Sequence, residues 1–315
     1  MTDHVIVVLG PTAAGKSSLG VALAQALGGE VINADSMQLY RGMDIGTAKL
    51  SEAERQGVPH HLLDVWDVRQ TASAAEYQEL ARAAIAGIQA RGRVPLLVGG
   101  SGLYIRAVLD DLRFPRTVPG IRERLETELS SEGPGRLHDR LASLDPAAAA
   151  AILPSNGRRI VRALEVIELT GGPFSATMPG YESIYPTVQL GLRVDRAELD
   201  LRIGARADRM WRDGFTDEVR GLRARGLGEG LTASRALGYA QVLRHLAGEW
   251  TAEQARLETI RATRKFARRQ ESWFRRDPRI VWLDADQDAR ALLVAALDTI
   301  KECASPRGMA PRTTL

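Results

Sequence analysis

Residues Gly10 to Ser17 read GPTAAGKS and fit the pattern G-x-x-x-x-G-K-[ST]. That order of residue types suits a polyphosphate. Glycines let successive backbone N–H groups turn toward one anion, and the helix that follows adds the positive end of its dipole. Lys16 brings a full charge to the terminal phosphates, and the Ser17 hydroxyl can ligate Mg2+. The candidate phosphate-binding residues are therefore Gly10, Pro11, Thr12, Ala13, Ala14, Gly15, Lys16 and Ser17. The pattern does not say which polyphosphate binds. Nucleotide hydrolases with this loop hold Mg2+ with a second carboxylate at the end of another apolar strand. Here the candidate strand VPLLVGGSG ends in glycines and a serine, and HLLDV offers Asp64 within only a short apolar run. The equipment for activating water against a γ-phosphate is not evident.

Other residues could act beside the loop. Asp35 closes the apolar run EVINAD, at the strand end where open α/β sheets place their ligands. It reads equally as a general base or as a cap of the next turn. Ser36 and Gln38 beside it can pair with a base edge. Ser101, in GGSGLY, repeats the strand–glycine–helix arrangement, which serves either a cleft or helix–sheet packing. Arg202, Arg206 and Arg209 share one helix face and could clamp phosphate oxygens, or form a solvated face. From Ile260 to Arg276 the chain carries Arg261, Arg264, Lys265, Arg268, Arg269, Arg275 and Arg276 against the single acid Glu271. With Trp273 and Phe274 nearby, that stripe suits a nucleic-acid backbone and stacked bases; alternatively the aromatics anchor the core. Arg158, Arg159 and Arg162 add basic charge upstream. His60 and His61 point to opposite sides of a strand and have no cluster to complete a metal site.

The elements that must position these residues alternate. Strands are expected at Val5–Leu9, Glu30–Asp35, His61–Val65 and Val94–Gly100, with helices from Lys16 to Leu27 and up to Gly92 between them. Such alternation predicts an α/β fold, a parallel sheet flanked by helices. From Arg113 to about Tyr185 the chain is helical and charged, which predicts a helical insertion over 113–185 in an α/β core of 1–112 and 186–303. Thr187–Val194 reads as a return strand and Arg279–Ala285 as a last one. Residues 304–315 carry prolines and no apolar period and read as a disordered tail. With 44% hydrophobic and 26% charged residues, the composition is that of a soluble globular protein. One cysteine, Cys303, excludes an internal disulfide, and no apolar run is long enough for a membrane helix. A cytoplasmic location and a monomer are the defaults.

Taken in order, GPTAAGKS, NADSMQLYRGMDIGTAK, VPHHLLDV, LLVGGSGLYIRAVLDDL, RRIVRALEVIELTG, GFTDEVRGL and SRALGYAQV resemble the bacterial tRNA dimethylallyltransferases, or tRNA isopentenyltransferases, over nearly the whole chain. The resemblance implies a P-loop NTPase-like fold. It implies transfer of a dimethylallyl group from dimethylallyl pyrophosphate to N6 of the adenosine just 3′ of the anticodon. The loop would then hold the pyrophosphate of a prenyl donor, with Mg2+, rather than a nucleotide to be hydrolysed. Asp35 matches the acid that deprotonates the adenine amino group, and Arg206 resembles the arginine that meets the pyrophosphate, with Arg202 and Arg209 as other candidates. Thr12 belongs to the donor-binding and catalytic set. Three segments match positions touching the tRNA anticodon stem-loop: Asp35, Ser36, Met37 and Gln38; Arg158, Arg159, Ile160, Val161 and Arg162; and Arg235, Ala236, Leu237, Gly238, Tyr239 and Ala240. Ser101 stands where the family often has threonine and keeps the hydroxyl. The insertion resembles the family's tRNA-contacting swinging domain.

Three other readings predict different behaviour. A P-loop small-molecule kinase or ATPase would consume nucleotide without RNA. A non-catalytic RNA-binding protein would bind tRNA without a modified product. A transferase acting on free adenosine nucleotides would need neither the insertion nor the basic stripe.

Overall fold

A computed structural model describes residues 3–115, 118–174 and 180–304. The chain forms two compact units. One comprises Met1–Leu109 and Ser183–Leu315, and the other Asp110–Glu182.

The first unit is built on a six-stranded parallel sheet: β1 Val5–Leu9, β2 Gly29–Asn33, β3 His60–His61, β4 Val94–Gly99, β5 Thr187–Arg193 and β6 Ile280–Asp284, in the spatial order β3-β2-β4-β1-β5-β6. Its helices are α1 Lys16–Leu27, α2 Ala74–Ala90 and α3 Gly102–Leu109, then α7 Arg196–Arg212, α8 Phe215–Ala224, α9 Tyr239–Leu246, α10 Ala252–Phe274 and α11 Ala289–Ala304. The unalternating apolar run of β1 follows from burial on both faces. Val5, Val7 and Leu9 enter one core with Ile85, Phe215 and Tyr239, while Ile6 and Val8 enter another with Leu23, Ile203 and Ile300. One strand thus serves two cores.

The edge strand β3 differs from its expected span. Only His60 and His61 pair, with Val31 and Ile32. Leu62 and Asp64 then take positive φ, 61° and 58°, which ends any extended run. The two histidines are structural: His60 Nδ1 lies 2.8 Å from the Val58 carbonyl, and His61 Nε2 lies 2.7 Å from Glu30 Oε2.

The second unit contains α4 Pro119–Leu144, α5 Pro146–Ala151 and α6 Gly157–Thr170. Gly133, at φ 78°, and Pro134 kink α4. Asp145 caps α5 by accepting the Ala148 N–H, with Pro146 at the first helical position. The core gathers Leu125, Leu137, Leu141, Ile152, Ile160, Val161 and Leu164. Glu165 is fully buried and held by Arg122 at 2.5 Å and Arg162 at 2.9 Å. Of the expected tail, Ala304 ends α11, and residues 305–315 lie outside the described residues.

Burial alone would raise the Glu165 pKa, but hydrogen bonds from Arg122 and Arg162 hold it below the usual glutamate value. A depressed folded-state pKa adds stability above the unfolded-state value, and that stability is lost as pH falls through the folded one. Glu165→Gln is expected to cost about 1–2 kcal/mol at neutral pH, because it removes the buried charge that Arg122 and Arg162 share while each keeps a second partner. Thermal melts at neutral pH and near pH 3 check this. The gap between wild type and variant should narrow in acid; an unchanged gap would contradict the charge-pair account.

Candidate active site at the carboxyl edge of the sheet

The site is assembled where β1, β2 and β4 end. After Leu9 the chain turns through Gly10, whose φ is 145° and whose missing Cβ would lie 2.9 Å from the Leu192 carbonyl oxygen. Ala13 and Gly15 also take positive φ, 65° and 88°, and α1 begins at Lys16. Ser17 sits in the first turn of α1. Lys16 Nζ donates to the Pro11 carbonyl at 2.7 Å. Burial pushes its pKa down to about 8; Asp35 opposes that shift and Arg206 adds to it.

Beyond β2, Asn33 shapes the next turn. Its Nδ2 donates to the carbonyls of Asp35 and Leu62, both at 3.0 Å, and its Oδ1 accepts the Asp35 N–H at 2.9 Å. Asp35 Oδ1 in turn accepts the Met37 N–H at 2.9 Å. The turn-capping reading of Asp35 therefore holds, and the same side chain lines the cavity described below. The Ser101 Oγ accepts the Ser36 N–H at 3.1 Å, and the Ser101 N–H reaches the Ala34 carbonyl at 3.1 Å. Ser101 thereby ties the end of β2 to the start of α3.

Of the three candidate arginines on α7, Arg206 meets the loop. Its Nη1 donates to Thr12 Oγ1 at 3.3 Å and its Nη2 to the Thr47 carbonyl at 3.1 Å. Burial lowers its pKa, Asp35 opposes the shift and Arg209 adds to it. Arg202 is occupied by Glu198 at 2.7 Å and Asp286 at 3.2 Å, and Arg209 is exposed.

Thr12, Asp35, Ser36, Met37, Ser101 and Arg206 line one cavity of about 320 Å³. Its remaining wall is largely apolar, formed by Ile203, Ala207 and Met210 on α7 with Phe215, Leu237 and Phe266. Arg235, Ala236 and Gly238 complete the rim, and Gln38 reaches the Thr47 carbonyl at 3.2 Å. Thr259, Thr263, Arg269 and Gln270 also line it, so the space offers both charged or polar groups and carbon. Such a space suits a small molecule with a charged head and a short apolar tail.

Several expected contact residues lie elsewhere. Ile160 and Val161 are buried in the core of the second unit, and Arg162 is held by Glu165 and the Pro115 carbonyl. Arg158 and Arg159 are exposed. Tyr239 is a core residue whose hydroxyl donates to Glu218, and Ala240 continues α9 beside it. On α10, Arg261, Lys265, Arg268 and Arg269 are exposed, Arg269 also lining the cavity, whereas Arg264 reaches the Asp200 carbonyl; Arg275 and Arg276, just past the helix, are exposed. Phe274 belongs to the core, and Trp273 is 37% exposed. Asp64, weighed as a metal carboxylate, instead pairs with Lys49 at 2.6 Å.

Two polar residues escaped the sequence reading. Gln270 is buried; its Oε1 accepts the Thr12 N–H at 2.9 Å and its Nε2 donates to the Gly100 carbonyl at 2.9 Å. The signal was there: 260, 267, 270 and 274 form the inner stripe of a basic helix, and a glutamine on that stripe needs a partner. Thr47 supplies the carbonyl on which Arg206 and Gln38 converge.

This geometry can be set beside known proteins. The family model for IPP transferase matches residues 38–277. A tRNA dimethylallyltransferase of Streptomyces coelicolor is 70% identical over 280 residues, covering 89% of this chain and 90% of that one. One from Thermobifida fusca is 67% identical over 287 residues, covering 90% of each. Among solved structures, the full-length tRNA isopentenylpyrophosphate transferase of Bacillus halodurans aligns with a TM-score of 0.72 at 41% identity, covering 96% of both chains. A eukaryotic dimethylallyltransferase acting on tRNA aligns with a TM-score of 0.83 at 28% identity, covering 95% of this chain and 80% of that one. The parallel sheet, the loop at its carboxyl edge and these matches agree, and the chain belongs to the IPP transferase family.

Proposed function

We propose that this protein transfers a dimethylallyl group from dimethylallyl pyrophosphate to N6 of the adenosine just 3′ of the anticodon in tRNA. One observation carries the reading at the level of chemistry. Asp35, Thr12 and Arg206 line a single cavity together with the apolar Ile203, Ala207, Met210 and Phe266. The proteins matched above are named as dimethylallyl transferases acting on tRNA, not as kinases. A kinase or ATPase also needs a carboxylate to hold its metal, and Asp64 is engaged by Lys49.

The reaction breaks the bond from the allylic carbon to the pyrophosphate oxygen and forms a bond from that carbon to N6. The amino group loses one proton. Its lone pair is delocalised into the ring, so it attacks well only as that proton leaves, and Asp35, which lines the cavity, is the base in this reading. The departing pyrophosphate gathers negative charge, which Lys16, Arg206 and the loop N–H groups at the start of α1 neutralise. Among the described residues no group of three or more His, Cys, Asp or Glu could hold a metal ion. The donor set fits a Mg2+ that the pyrophosphate itself carries, with the Ser17 hydroxyl as its protein ligand. Bound there, Mg2+ would further neutralise the leaving group. The apolar wall excludes water from the allylic cation-like centre.

The reading places exposed basic residues of α10, Arg235 on the cavity rim, and Arg158 and Arg159 of the second unit against RNA phosphates. The target base must leave the loop stack to reach the cavity. No helix among the described residues is long and apolar enough to cross a membrane. A tRNA substrate suits a monomeric cytoplasmic enzyme.

The direct test incubates protein, Mg2+, dimethylallyl pyrophosphate and unmodified tRNA, then digests the RNA and seeks N6-dimethylallyladenosine by mass. Its absence overturns the proposal. Asp35→Asn should lower kcat by roughly 10²–10⁴-fold, the usual worth of a general base, with tRNA affinity changed less than about threefold. Equal losses in both would remove Asp35 from the chemistry. Donor affinity should also depend on Lys16. Its pKa of about 8 rises when a pyrophosphate binds, so binding takes up a proton in that range. Affinity should hold level below pH 8 and fall about tenfold per unit above it, and Lys16→Met should flatten the profile. An undiminished slope in the variant would assign the titration elsewhere.

A further inference from the structure

The carbonyl of Thr47 is the point on which Arg206 and Gln38 converge, so its placement sets the guanidinium that faces the leaving group. Thr47 belongs to the turn Asp44–Lys49, closed by Ala48 N–H to the Ile45 carbonyl and Lys49 N–H to the Asp44 carbonyl. Its hydroxyl is bonded to the Met43 carbonyl at 2.6 Å. Upstream of it, three consecutive backbone N–H groups point away from the turn. Those of Asp44, Ile45 and Gly46 all donate to the carboxylate of Glu218, at 3.0, 2.6 and 3.2 Å.

Three N–H groups converging on one carboxylate make an anion nest filled from another element, the first turn of α8. Tyr239 adds a fourth donor to Glu218, at 2.6 Å. Burial and the Glu218 carboxylate raise the Tyr239 pKa, so its hydroxyl stays protonated and donating. The fit is close: a Cβ on Gly46 would stand 2.2 Å from the Phe215 ring and 2.6 Å from the Tyr239 ring. A side chain at position 46 would therefore displace the turn from these rings.

We infer that Glu218 is a positioning residue for the transfer reaction: it gathers the Asp44, Ile45 and Gly46 N–H groups, fixes the Thr47 carbonyl, and so aims Arg206 at the leaving pyrophosphate. Glu218 touches neither donor nor RNA in this account. A neutral amide cannot replace it, since one end would set N–H against N–H. The inference rests on the transferase reading above.

The test is a double-mutant cycle of Glu218→Gln and Arg206→Gln, with kcat/KM for dimethylallyl pyrophosphate, pyrophosphate inhibition, tRNA affinity and melting temperature measured for each protein. Glu218→Gln should lower donor kcat/KM roughly 10- to 100-fold, as loss of an outer partner does, and weaken pyrophosphate inhibition, with tRNA affinity held within about twofold. In the Arg206→Gln background the same change should cost less than about threefold, because its route is already gone. Equal losses in both backgrounds, or a loss of tRNA affinity as large as that of donor affinity, would overturn the role. Tyr239→Phe, which removes one donor to Glu218, should show a smaller loss with the same dependence on Arg206. That variant carries the test if Glu218→Gln does not fold. An inactive wild type would instead retire the transferase reading, which keeps the two failures apart.

Discussion

The amide of Gln270 joins the two glycine turns on which the site depends. Its oxygen holds the Thr12 N–H and its nitrogen holds the Gly100 carbonyl, so the loop after β1 and the loop after β4 are set against one side chain. The amide is buried, and an unmet donor or acceptor there would cost about 1–3 kcal/mol. Glycine is required around it for the same reason: a Cβ on Gly100 would lie 2.3 Å from the Gln270 nitrogen, and one on Gly102 would lie 2.3 Å from the Trp273 indole. Helix α10 can pack this closely on the turn after β4 only because Gly100 and Gly102 lack side chains.

The electrostatics follow from the same closeness. Lys16 and Arg206 are half-buried cations: loss of water lowers both, Arg206 adds to the shift of Lys16 and Arg209 to that of Arg206, and Asp35 is the anion that opposes both. Two cations facing one carboxylate leave the site short of negative charge. On the proposed reading, the pyrophosphate of the donor would correct that imbalance.

Much of this could be read in the sequence. The phosphate loop, the strand order along the chain and the helical insertion all follow from local residue types. The choice among Arg202, Arg206 and Arg209 did not, because spacing puts all three on one face. Glu198, four residues before Arg202, forms the ion pair that removes Arg202 from the site. Ile160, Val161 and Tyr239 were carried along inside contiguous contact segments. Helical periodicity places the first two, with Leu164, on an inner face, and they are core residues. Helical spacing marks Gln270 as an inward polar residue, but the backbone groups that Gln270 and Glu218 hold lie 170 and more residues away, and no local pattern encodes them. The histidine pair shows the reverse case, since its lack of metal-ligand spacing was legible and Glu30 and Val58 explain it.

The central claim is that GPTAAGKS holds the pyrophosphate of a prenyl donor rather than a nucleotide. Equilibrium competition addresses it without RNA. Protein with Mg2+ and labelled pyrophosphate is titrated with dimethylallyl pyrophosphate in one series and with ATP in another, and free phosphate is followed in both. The account predicts that dimethylallyl pyrophosphate displaces the label at far lower concentration than ATP, because its tail reaches the apolar wall of Ile203, Ala207 and Met210, and that no phosphate is released. Tighter displacement by ATP, with its hydrolysis, would contradict the account.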